Sequence, residues 1–170
     1  MKPEIVQAYL LPACANLFPH RKDMMTPEAQ AMLLAIGLQE SEFKHRQQLT
    51  GGFRDWWKSL TGPAAGYWQF ERIGVKGVLD HPSTKGAALA LLETMGYPAD
   101  VDTIWSAIRY DNILAVAFAR LALYRLPQKL PKRDQPMIAW QQYLSAWRPG
   151  KPHPEKWERN WERAWAIVSP

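Results

Sequence analysis

A mainly α fold is what this sequence predicts, and three observations carry the prediction. Apolar residues recur at three- and four-residue spacing almost everywhere. No pair of alternating segments is joined by a two-residue hairpin turn. Proline, glycine and small polar residues stand where helices should start and stop. At 170 residues the chain has the size of one domain. Its parts are an N-terminal helix and connection at 1–25, a core at 26–150, and a basic, Trp-rich helix at 151–170.

The first helix is expected within residues 1–18. Its apolar stretch at 8–14 is cut short on its N-terminal side by Glu4 and Gln7, Lys2 is the one basic residue ahead of it, and Pro19-His20-Arg21 has none of the small residues of a cleavage site. It therefore reads as a helix rather than a secretory leader. Thr26, Pro27 and Glu28 supply an N-cap, a first-position proline and a first-turn acid for a helix running to about Phe43. Ser83 is the expected cap of a helix through Met95, which Gly96 ends. Asp111 opens another, with Leu114, Ala117, Phe118, Leu121 and Ala122 on one stripe down to about Arg125. Gln135-Pro136 starts a fourth that closes near Trp147, ahead of Arg148-Pro149-Gly150-Lys151-Pro152. The last, over 154–168, aligns Trp157, Trp161 and Trp165 in a seam expected to pack inward. Residues 49–77 differ, because Gly51, Gly52, Gly62, Gly66, Gly74 and Gly77 alternate with large aromatics. Such a loop can line a groove, and Trp56, Trp57, Tyr67 and Trp68 are its candidate groove residues.

Composition narrows the function. With 47% hydrophobic and 22% charged residues the chain is built to fold rather than to stay disordered. No apolar run reaches the length of a membrane span, since even 31–38 stops at Gln39 and Glu40. The lone Cys14 can form no internal disulfide and fits a buried apolar site. Residues 120–170 hold 10 Lys+Arg against 4 Asp+Glu, a balance of +6 within a total of +5. That basic third is expected to be drawn to polyanions, and nucleic acid, anionic lipid and anionic envelope components of a cell wall all qualify, because the attraction carries little chemical identity. No helix-turn-helix or zinc-finger spacing supports nucleic acid as a partner.

One carboxylate stands out. On a helix at about 100° per residue, Glu40 falls in the sector of Met32, Leu33, Ile36 and Phe43, whereas Glu42 projects to the opposite side. Desolvation there should raise the pKa of Glu40, and an acid still protonated near neutrality can serve as a general acid. Nine tryptophans add the flat surfaces on which sugar rings pack.

Two segments carry a family resemblance. Leu38-Gln39-Glu40-Ser41-Glu42-Phe43 resembles the Glu-Ser-x-Phe motif of the lytic transglycosylase and goose-type lysozyme group. Further on, Ala65-Gly66-Tyr67-Trp68-Gln69-Phe70 is similar to that group's Gly-Leu-Met-Gln motif, with Trp68 where Met is usual. The wider form, from Gly62 to Glu71, looks like versions found in bacteriophage proteins. Asn112-Ile113-Leu114-Ala115 is similar to a third family element, although Ala119 replaces its later tyrosine. Tyr143 is the stand-in for the tyrosine of a missing Tyr-Asn-Ala-Gly motif, and the resemblance spans about 26–150.

The resemblance implies a lysozyme-like helical domain whose Gly- and aromatic-rich loop lines a glycan cleft. It implies Glu40 as the catalytic acid, Ser41 as a residue that helps hold its carboxylate, and Gly66, Tyr67, Trp68 and Gln69 as substrate-binding residues, with Tyr143 beside them. No metal or cofactor is expected. The substrate would be peptidoglycan, cleaved between N-acetylmuramic acid and N-acetylglucosamine. One acid suffices for transglycosylation, while lysozyme-type hydrolysis remains the alternative and needs a second carboxylate or a positioned water. Glu42, Asp55, Glu71 and Asp80 are the acids in reach, none within a matching motif. A non-enzymatic virion or wall-binding module is the further alternative. The expected setting is a monomeric phage protein, made in the host cytoplasm and reaching the wall by holin release or as a virion component.

Overall fold

The computed structural model describes residues 1–46 and 62–169. Among these residues the structure is mainly helical and contains no strand. Its helices are α1 (Pro3–Ile5), α2 (Leu11–Asn16), α3 (Pro27–Ser41), α4 (Arg72–Asp80), α5 (Lys85–Met95), α6 (Val101–Ala107), α7 (Asn112–Tyr124), α8 (Pro136–Trp147) and α9 (Pro154–Val168). None is long and apolar enough to cross a membrane.

The expected first helix forms in pieces. A π-helical turn, Val6–Leu10, joins α1 to α2, and Pro12 sits in the first turn of α2. Proline has no N–H to donate and its ring collides with the carbonyl four residues back, so the chain widens ahead of it. Cys14 is buried in α2, which pushes its thiol up to about 12.

Helices α3 and α7 form the centre. Residues Ala31 through Leu38 are all buried, as are Leu114 through Leu123. A helix that is apolar on every side needs neighbours on every side. α7 packs against α2, α3, α4 and α8, and α9 lies along α3. α3 starts at Thr26, whose Oγ1 accepts from the Ala29 N–H at 3.4 Å. α7 starts at Asp111, whose Oδ1 accepts from both Ile113 and Leu114 at 2.9 Å. Arg120, the one charge buried in α7, donates to the carbonyls of Asp23 and Met24 and so ties α7 to the turn that precedes α3.

Around this centre the sequence expectations divide. α8 and α9 start at Pro136 and Pro154, and Gly96 ends α5 in the left-handed region at φ +73°. Ser83 is not the cap of α5; the helix starts at Lys85, and Ser83 turns its hydroxyl to the His81 ring at 2.8 Å. Thr84 instead buries its hydroxyl against the Val78 carbonyl at 2.7 Å, which joins α5 to α4. α4 itself corrects the loop reading of 49–77, because Gly74 and Gly77 lie inside it. Trp157, Trp161 and Trp165 are buried as the seam predicts. The first two donate to the carbonyls of Pro136 and Arg133, both at 2.9 Å.

Candidate active site

The site begins where α3 stops. Glu42 and Phe43 both adopt left-handed backbone, at φ 51° and 55°, conformations that cost non-glycine residues about 1 kcal/mol or more each. Three contacts hold them there. The Ser41 hydroxyl donates to the Tyr67 carbonyl at 2.7 Å and accepts from the Phe43 N–H at 3.1 Å. The Phe43 ring folds back over Gly37, where a Cβ would lie 2.1 Å from the ring. The same ring meets Tyr67 and Trp68 edge to face, with centroids 5.8 and 5.6 Å away. Phe43 therefore reaches the core by chain reversal and not by continuing the helix. Glu40 is left in the last full turn, half-buried at the mouth of a cleft.

The second motif is a tight turn. Ala65 and Phe70 exchange N–H···O bonds of 2.9 and 2.8 Å around Gly66-Tyr67-Trp68-Gln69. Gly66 sits at φ 71°, and a Cβ there would lie 2.7 Å from the Ile108 carbonyl, so only glycine fits. The fully buried Trp68 donates from Nε1 to the Leu33 carbonyl of α3 at 2.8 Å. Tyr67 is buried as well, and its hydroxyl accepts from Arg46 Nε at 3.1 Å. Gln69 reaches the cleft, with Nε2 donating back to the Gly66 carbonyl at 2.8 Å.

The opposite side comes from α8. Tyr143 donates its hydroxyl to Glu40 Oε1 at 2.7 Å, and its ring stacks on Trp157 of α9 at 5.1 Å. Trp147, one turn later, donates to the Trp68 carbonyl at 2.8 Å and packs against Phe70. α9 also braces the end of α3. Gln39 donates to the His153 carbonyl and accepts from Asn160 Nδ2, both at 2.9 Å.

The resulting cleft has a volume of about 900 Å³, and Glu40, Gln69, Phe70, Glu71, Tyr143 and Trp147 are among its lining. Burial pushes the pKa of Glu40 up to about 7; the Tyr143 hydrogen bond opposes this, and the charge of Glu71 adds to it. Tyr143 is itself raised by burial and by the Glu40 charge, so it remains a neutral donor. The arrangement can hold a proton on Glu40 near neutrality and steady the carboxylate once that proton has left.

Of the residues singled out in the sequence, Glu40, Gln69 and Tyr143 come together in the cleft. Ser41, Gly66, Tyr67 and Trp68 are not among its lining residues. Ser41 bonds main-chain groups and not the Glu40 carboxylate, because its hydroxyl is engaged by the carbonyls of Gly37 and Tyr67 and by the Phe43 N–H at the helix end. Tyr67 and Trp68 turn inward because Phe43 and α3 need covering at that point. Trp56, Trp57 and Asp55 lie outside the described residues. Glu42 pairs with Lys44 and Asp80 with Lys76, both at the surface. Glu71, which directly follows the second motif, lies in the cleft, as do Trp147, Arg125 and Arg148. Glu71 was among the acids in reach in the sequence, and Trp147 left a signal in standing four residues after Tyr143 on the same helix face; Arg125 and Arg148 carried none that pointed to the cleft. Comparison with protein-family models, with curated proteins and with solved structures returns no match.

Proposed function

We propose that this chain cleaves peptidoglycan as a lytic transglycosylase of the lysozyme-like group, with the cleft as its glycan site. The observation that carries the reading is the raised carboxyl of Glu40, bonded to the Tyr143 hydroxyl at 2.7 Å in a cleft of about 900 Å³. The likeness of residues 38–43 and 62–71 to that group's two motifs supports it.

The chemistry balances on one acid. Protonated Glu40 gives its proton to the bridging oxygen between N-acetylmuramic acid and N-acetylglucosamine as the C1–O bond breaks. The carboxylate that remains is steadied by Tyr143. It then takes the proton of the muramyl 6-hydroxyl while that oxygen bonds to C1, closing a 1,6-anhydro ring and restoring neutral Glu40. A phage protein acting on the host wall is the setting this chemistry suits, with the basic C-terminal third held to anionic envelope components.

Glu71 favours a second reading. A carboxylate in the same cleft as Glu40 could direct water to C1, giving hydrolysis. Mass spectrometry of products from purified peptidoglycan separates the two. Anhydro-muropeptides from the wild type, with a loss of about a thousandfold in Glu40→Gln, support the first reading. Reducing-end products that vanish in Glu71→Gln support the second. Wall binding with no cleavage by the wild type would instead mean a non-enzymatic module.

A further inference from the structure

Glu40 occupies only part of the cleft lining. Arg125, Arg148 and Lys151 line it too, and they come from the end of α7, the end of α8 and the connection to α9. Arg125 lays its guanidinium across Gly77 of α4, where any Cβ would lie 2.1 Å from Nη1. Its Nε is buried and has no hydrogen-bond partner among the described residues, and no described carboxylate pairs with it or with Arg148. Arg148 is held at φ 49°. Burial and the charge of Arg148 both lower the pKa of Arg125, as expected where two cations share a space without an anion between them. A cation at a helix C-terminus complements the helix dipole, which accounts for each arginine on its own helix. It does not account for the two ends converging on the cleft that holds Glu40.

We infer that Arg125 and Arg148 form an anion subsite that takes a carboxylate borne on the lactyl side of a muramyl unit. The inference rests on the peptidoglycan reading of the cleft. Such a carboxylate has two sources, the free lactyl group of a stripped glycan and the stem peptide of an intact one. A guanidinium pair suits either, because its planar donors match a carboxylate edge.

The test is equilibrium binding to the full chain carrying Glu40→Gln, followed by calorimetry. The ligands are a stem-bearing muramyl oligosaccharide, its amidase-stripped form with free lactyl carboxylates, and a neutral chitin oligosaccharide of equal length. Arg125→Gln and the more exposed Arg148→Gln should each weaken the preferred anionic ligand about tenfold, and chitin less than twofold. Arg125→Lys should recover part of the loss. Whichever anionic ligand shows the larger drop identifies the source. Equal losses for all three ligands would make the arginines structural and overturn the subsite. Unchanged binding of every ligand would overturn it while leaving the peptidoglycan reading intact. If no glycan binds the Glu40→Gln chain, that reading fails and the subsite falls with it.

Discussion

The turn at residues 65–70 and the helix α8 make an instructive contrast. The turn bears a recognisable motif, yet two of its four central side chains, Tyr67 and Trp68, are buried, and Gly66 is there to let the backbone approach Ile108. α8 bears no motif, yet it supplies Tyr143 against Glu40 and Trp147 at the cleft. They meet at one hydrogen bond, from Trp147 to the Trp68 carbonyl. The lesson is that a conspicuous motif can belong to the scaffold that aims an acid, while the groups touching that acid come from a plain amphipathic helix.

Substitutions in the two regions should separate stability from activity. The largest effect is expected from Trp68→Ala, which empties a fully buried site and strips the Leu33 carbonyl of a donor. A loss of about 3–5 kcal/mol in denaturant unfolding is expected, and a loss under 1 kcal/mol would break the contrast. Gly37→Ala should follow at about 2–3 kcal/mol, because the new methyl displaces the Phe43 ring that turns the chain after Glu40.

Glu40 itself sharpens the contrast through pH. Its folded pKa, about 7, lies above the ordinary 4.5, so the folded state binds more protons than the unfolded state between those values. Stability should therefore fall as pH rises from about 4.5 to 7, by about 3 kcal/mol at most. Glu40→Gln should flatten this slope, as measured by urea unfolding across the range. The smallest effect is expected from Tyr143→Phe. It removes a hydrogen bond that favours the carboxylate, so the alkaline limb of the pH–rate profile should move upward while kcat drops about tenfold. A large fall in melting temperature with an unmoved pH profile would assign Tyr143 to packing alone.

Much of this was legible because it is local. Thr26-Pro27, Asp111, Pro136 and Pro154 mark helix starts through groups that act within one turn, and each helix begins where they stand. The place of Glu40 beside Met32, Leu33 and Ile36 anticipates the burial that raises its pKa, although α3 proves apolar on every side and Phe43 leaves the helix. Helix α4 was hidden by Gly74 and Gly77, whose low helix propensity is overridden by packing against α5, α6 and α7. Trp105 of α6 was equally silent, though its Nε1 donates to the carbonyls of both Pro63 and Phe70 at 3.0 Å and so holds the second motif in place.

By itself the sequence determined the helical class, most helix starts and the burial of the acid, since caps and periodicity act between residues a few positions apart. Tertiary structure decided that Ser41 and Trp68 serve the backbone and that Tyr143 meets Glu40 across 103 positions. It also brought Glu71, Arg125 and Arg148 to one cleft. Those contacts depend on how α3, α7, α8 and α9 pack, and packing joins residues that no local period relates.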